Sequence, residues 1–113
     1  MKVTQSALLS PEQAAEAKKL GAALARLRIA RGMKQDQTAL RAGLSRNTAY
    51  RLEKGDPGIG MGQILRYLDA IVPGKTLLEL LSETDPALAA LSAKEQRHRV
   101  RELSKRELEE IDF

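Results

Sequence analysis

Seven consecutive residues, Ser45-Arg46-Asn47-Thr48-Ala49-Tyr50-Arg51, concentrate much of the hydrogen-bonding chemistry of this chain. An arginine fork can bond guanine O6 and N7 together, and an asparagine amide can do the same to adenine N6 and N7. The surrounding charge is lopsided. Between residues 20 and 55 lie Arg26, Arg28, Arg31, Lys34, Arg41, Arg46, Arg51 and Lys54, eight basic groups against two acidic ones, Asp36 and Glu53, a balance of +6. The whole 113-residue chain carries only +4, so the remainder is slightly acidic. A basic cluster confined to one module is the footprint expected for phosphate backbones. A solvated basic face on a soluble helix is the plainer alternative.

Other chemistries find little support. His98 is the single histidine, set in a basic stretch beside no cysteine or acidic partner, and the chain has no cysteine at all. A general base or a metal site needs converging groups, so neither an enzyme nor a metal or cofactor site is expected. Gly58-Ile-Gly60-Met-Gly62 lacks the preceding strand and the lysine that a phosphate-gripping loop requires. No apolar run approaches the roughly 20 residues of a membrane span, and the N-terminus lacks a signal-peptide core. The cytoplasm is the expected compartment.

Two short helical patterns flank the hydrogen-bonding run and must position it. They meet at a corner, Ala42-Gly43-Leu44. Gly43 supplies the positive φ that ends the first helix, and Leu44 follows as a buried plug. Ser45 caps the second helix by accepting from backbone N–H groups. This arrangement suits a helix-turn-helix whose second helix enters the major groove.

On these residues, and on the spacing of several others between 20 and 81, the chain resembles the Cro/CI-type (XRE) helix-turn-helix family. The resemblance implies an all-α, five-helix, lambda-repressor-like DNA-binding domain. It also implies that Ala39 lets the two helices pack closely, and that Arg28 pairs with Glu53 to fix the second helix. Base edges would be read from Ser45, Arg46, Asn47, Tyr50 and Arg51. Phosphates would be met by Lys34, Gln35, Arg41, Thr48, Lys54 and the backbone N–H groups of Gly60, Met61 and Gly62. Gln35 would also brace the recognition helix. Thr38 and Ala49 are smaller than the family's usual core residues, which predicts a core that is smaller, or one repacked around Leu40, Tyr50 and Met61.

Along the chain, residues 1–9 read as a loosely docked arm, 10–83 as the domain and 84–113 as a helical tail. Ser10-Pro-Glu-Gln13 is a capping-box start for a helix to about Arg31, with Leu20, Leu24 and Leu27 on one face and Gly32 as its stop. A later helix, 61–72, carries Met61, Ile64, Leu65, Leu68 and Ile71 as its apolar face, and a fifth spans 76–82. In the tail, Asp85-Pro86, Ser92-Ala-Lys-Glu95 and Ser104-Lys-Arg-Glu107 each signal a short helix start. Basic Lys94, Arg97, Arg99, Arg101, Lys105 and Arg106 give way to acidic Glu107, Glu109, Glu110 and Asp112. Segments this short are marginal alone and need a surface to pack on.

The expectation that follows is a sequence-specific transcriptional repressor bound to an inverted-repeat operator as a homodimer. Leu77, Leu78, Leu81, Val100, Leu103, Leu108, Ile111 and Phe113 would supply dimer or partner contacts. The alternative is an antitoxin of the HipB-like branch, which Glu53-Lys-Gly-Asp-Pro-Gly58 and the following Met61-Gly-Gln-Ile-Leu-Arg-Tyr-Leu68 resemble; it would repress its own operon and bind a toxin. A nonspecific nucleic-acid coat fits poorly, because aromatic residues to stack bases are 3% of the chain.

Overall fold

In a computed structural model, residues 4–82 and 86–111 are described, and they form seven helices and no strand. The helices are α1 (Gln5–Leu8), α2 (Pro11–Ala30), α3 (Gln35–Ala42), α4 (Arg46–Glu53), α5 (Met61–Ile71), α6 (Leu77–Leu81) and α7 (Pro86–Ile111). The all-helical fold is as the sequence leads one to expect, with α2 to α6 as the five helices of the domain.

Local signals set most helix ends. Ser10 Oγ accepts from the Gln13 N–H at 3.1 Å while Gln13 Oε1 accepts from the Ser10 N–H at 3.0 Å, the reciprocal box that starts α2. Gly43, at φ +70°, ends α3; its N–H reaches the Leu40 carbonyl at 3.2 Å and that of Leu44 reaches Ala39 at 2.9 Å. Ser45 Oγ then accepts from the Thr48 N–H at 3.0 Å and opens α4. Thr76 caps α6 in the same way through the Glu79 N–H.

The core gathers Leu24 and Leu27 of α2, Ala39 and Ala42 of α3, Ala49 and Leu52 of α4, Tyr67, Leu68 and Ile71 of α5, Leu80 of α6 and Leu88 of α7. Leu44 is half-buried at the corner. The repacking expected around Leu40, Tyr50 and Met61 does not occur: these are 82%, 53% and 71% exposed. Tyr67 of α5 is instead the largest of the fully buried side chains. Thr38 is buried too, with its hydroxyl donating to the Lys34 carbonyl at 2.9 Å, so the small polar residue leaves no orphan group. Leu65 likewise faces outward, which narrows the apolar face of α5 to Ile64, Leu68 and Ile71 with Tyr67.

Within the N-terminal arm, residues 5–8 form an exposed helical turn, and Leu9 is half-buried. One further expectation is corrected: the tail is one continuous helix of 26 residues, not a series of short ones. Ser92 and Ser104 sit inside it, because Ala, Leu, Lys, Arg, Glu and Gln dominate the stretch and no glycine or proline follows Pro86 to interrupt it. Its first turns are docked: Leu88 enters the core, and Arg26 of α2 holds both Glu95, at 3.0 Å through Nη1, and Ser92 Oγ, at 3.3 Å.

Candidate nucleic-acid interface

The orientation of α4 is fixed through its last residue. Arg28 Nε and Nη2 donate to Glu53 Oε2 and Oε1 at 2.7 and 3.0 Å, a bidentate pair. Gln35 Nε2 donates to Oε1 at 2.9 Å, and the Tyr67 hydroxyl donates to Oε2. Arg28 Nη1 also reaches the Met33 carbonyl at 2.8 Å. One carboxylate thus receives donors from α2, α3 and α5. Burial pushes the Glu53 carboxyl up, but the bonds from Arg28, Tyr67 and Gln35 outweigh it and hold the group below the usual carboxylate range. Burial and the same carboxylate push the Tyr67 phenol well above its ordinary value, and the Glu53 bond raises Arg28.

The C-terminal end of α4 is also pressed against α2. A β-carbon on Gly21 would stand 2.6 Å from the Gly55 nitrogen and the Leu52 carbonyl oxygen, and one on Gly55, at φ +78°, would stand 2.5 Å from Lys18 Cα. Only two glycines permit this approach.

The opposite end of α4 is open. Ser45, Arg46 and Asn47 are exposed, and the Arg46 side chain is 86% accessible, its nearest carboxylate being Asp36 at 4.0 Å. Tyr50 lies exposed one turn on, with Lys54 Nζ 5.5 Å from its ring centroid. Thr48 is half-buried and accepts the Ser45 hydroxyl at 2.8 Å. Arg51 is drawn aside: its Nε donates to Asp56 Oδ2 at 2.7 Å, while Asp56 Oδ1 accepts the Gly58 N–H at 2.8 Å. That Arg51 bond, with the Gly58 N–H, lowers the Asp56 carboxyl.

A family model described as a helix-turn-helix domain matches residues 19–81, more than half of the chain. The chain belongs to the helix-turn-helix family of the Cro/CI type. No curated protein and no solved structure matches it. Membership makes it a DNA-binding regulator. Among the described residues no cluster of histidine, cysteine or acidic groups is placed to hold a metal, and no helix is long and apolar enough to cross a membrane.

Within this helix-turn-helix domain, the residues expected to read bases form one edge from Ser45 to Tyr50, with Arg51 turned toward the 56–58 loop. Of the phosphate candidates, Lys34, Arg41 and Lys54 are exposed. The Gln35 amide is engaged by Glu53, so it acts as the brace. The Gly60 N–H donates to Gln63 Oε1 at 3.0 Å, which leaves Met61 and Gly62 as the first-turn N–H groups of α5 without an intrahelical acceptor. Among the partner candidates, Leu78 and Leu81 are 79% and 60% exposed while Leu77 is half-buried against the core. The side chains of Leu108 and Ile111, and Phe113 altogether, lie outside the described residues. Sequence reasoning missed Tyr67, Gly21, Gly55 and Asp56; the tyrosine within an otherwise aliphatic α5 was the available hint.

Proposed function

We propose that this regulator is a repressor that binds an inverted-repeat operator as a homodimer, with the N-terminal end of α4 in the major groove. The observation that carries the reading is the Ser45–Arg46–Asn47 edge, exposed on a helix whose far end is held through Glu53. A reading head must be both accessible and fixed in direction, and this one is. Arg46 can donate twice to a guanine edge, and Asn47 can donate to adenine N7 while accepting from N6. Lys34, Arg41 and Lys54 supply phosphate contacts that set register without reading sequence. One such helix reads only a few base pairs, so two copies on half-sites about 34–36 Å apart are needed for useful specificity.

Selection of bound duplexes from a random pool tests this directly. Enrichment of two inverted half-sites one helical turn apart is expected, and the enriched base pairs should change in the Arg46→Ala and Asn47→Ala proteins. A pool that yields no motif, or a motif indifferent to both substitutions, would overturn it.

A second reading is favoured by one observation, an open apolar groove of about 650 Å³ between α2 and α6, lined by Leu9, Leu20, Ala23, Leu77, Leu80 and Leu81. An antitoxin that represses its own operon would use such a surface on a toxin. Co-purification of the neighbouring gene product, lost when Leu77 and Leu81 are made polar, separates the two.

A further inference from the structure

Arg28 and Arg51 each meet a carboxylate, in contrasting ways. Arg28 spends Nε and Nη2 on both oxygens of Glu53 and Nη1 on the Met33 carbonyl, so every nitrogen of its fork is engaged, and its side chain is 14% exposed. Arg51 gives Asp56 a single bond, from Nε to Oδ2 at 2.7 Å, the other oxygen being taken by the Gly58 N–H at 2.8 Å. Its Nη1 and Nη2 meet no hydrogen-bond acceptor among the described residues, and its side chain is 43% exposed. Those two groups carry four of the five N–H bonds of a guanidinium.

The hold on Nε restrains the free end. Asp56 is itself tied to the loop, and a β-carbon on Gly58 would stand 3.2 Å from Asp56 Oδ1 and 3.5 Å from Arg51 Nη2, so the guanidinium lies close along the 56–58 backbone. At about 100° per residue, Arg51 stands about 160° around α4 from buried Ala49 and about 40° from Asn47. It therefore leaves the helix on the outward face, one turn beyond Asn47. An arginine already restrained at Nε has less rotamer freedom to lose on contact. The pair is too exposed to add much stability, so direction is its main effect.

Net charge decides what the free end suits. Arg51 and Asp56 together carry none, because the Arg51 bond and the Gly58 N–H keep the Asp56 carboxyl below the usual range and so ionised. A phosphate is drawn by uncompensated positive charge and repelled by a carboxylate beside the donor. The edge of guanine is uncharged. Its O6 and N7 call for two donors in a fixed direction, which the end of a guanidinium held at Nε supplies. We infer that Asp56 is a specificity-determining positioning residue: it holds Arg51 so that Nη1 and Nη2 read one guanine, one turn of α4 beyond Asn47. The inference rests on the reading above of α4 as the helix in the major groove.

Duplex selection from a random pool, with the full chain and its variants, tests it together with titrations at several salt concentrations. Arg51→Ala should lose a preference for guanine at one base pair of the motif, by about tenfold. Asp56→Ala should relax the same base pair to a lesser degree. It should bind unrelated duplexes at least as tightly as the wild type, with a salt slope steeper by up to about one. A merely structural loss would weaken every duplex alike. With both substitutions the preference should match that of Arg51→Ala alone, since Asp56 acts only through Arg51. Asp56→Ser can still accept the Gly58 N–H but has no charge and no second oxygen for Arg51; it should show the same relaxation if the alanine protein unfolds. Relaxation by Arg51→Ala but not by Asp56→Ala would make Arg51 an unaided reader. A uniform loss from Arg51→Ala, or none, would make it a phosphate contact or a bystander. A guanine preference gained in Asp56→Ala would mean that the carboxylate keeps Arg51 off the bases. Each of these overturns the inference, and a motif that still answers to Arg46 and Asn47 leaves the reading above intact. A wild-type pool without a motif overturns both.

Discussion

Gly21 of α2 faces Gly55, just past the end of α4, so closely that a β-carbon at 21 would lie 2.6 Å from the Gly55 nitrogen and 2.8 Å from the Glu53 carbonyl oxygen. The atoms in the way are backbone, which cannot swing aside. Gly21→Ala should cost about 1–3 kcal/mol or more through overpacking. Gly55→Ala adds the left-handed penalty of about 1–2 kcal/mol at its φ of +78°. Urea midpoints measure both, and a wild-type midpoint for Gly21→Ala would show that the helices can separate freely.

The donors around Glu53 make unequal contributions. Tyr67→Phe removes one hydrogen bond to a charged group and should destabilise by about 1.5–3 kcal/mol while the fold persists. Glu53→Ala leaves the largely buried Arg28 guanidinium without its carboxylate and should cost about 3–5 kcal/mol. Equal losses in the two proteins would mean that the ion pair contributes nothing beyond the tyrosine bond.

The depressed carboxyl of Glu53 gives a pH signature. Because its folded value lies below its unfolded one, the unfolded chain binds the proton more readily. The stabilisation is complete above the ordinary carboxylate range, about 4.3, and is lost as pH falls through that range toward the lowered value. Denaturation profiles between pH 7 and pH 3 should therefore be steeper for the wild type than for Glu53→Gln. Superimposable slopes would contradict the assignment.

On DNA, Arg46→Ala or Asn47→Ala should each lose about 1–3 kcal/mol on the selected site and relax preference at one base pair per half-site. Lys54→Ala should weaken all sequences alike and reduce the salt slope by about one. Titrations at several salt concentrations distinguish the two kinds of loss. A Lys54→Ala protein with changed base preference would move that residue into the reading edge.

The helix-turn-helix corner was legible because its signals are local: a glycine that takes positive φ at 43 and a serine that caps at 45 act within a few residues. Long-range relationships were not. Tyr67 reaches Glu53 only because α5, packed on α3, brings its hydroxyl to the end of α4, and Gly21 meets Gly55 only once α2 lies against that same end. The small residues at 38 and 49 invited the idea that Leu40 and Tyr50 turn inward. Helical periodicity forbids it, since Thr38, Ala39 and Ala42 share the inner face of α3 and Leu40 does not. In the tail, a Ser-x-x-Glu pattern marks where a helix is able to start, and it is silent when a helix is already running.

Arg46 and Asn47 are exposed, while the bonds that orient their helix converge on its other end, at Glu53. On the function proposed above, the residues that meet the bases and the frame that holds them are thus separable in the sequence. Exchanging residues 46 and 47 should yield operators of altered spelling at unchanged melting temperature, so new DNA specificities lie one or two substitutions away with no compensating change elsewhere in the fold.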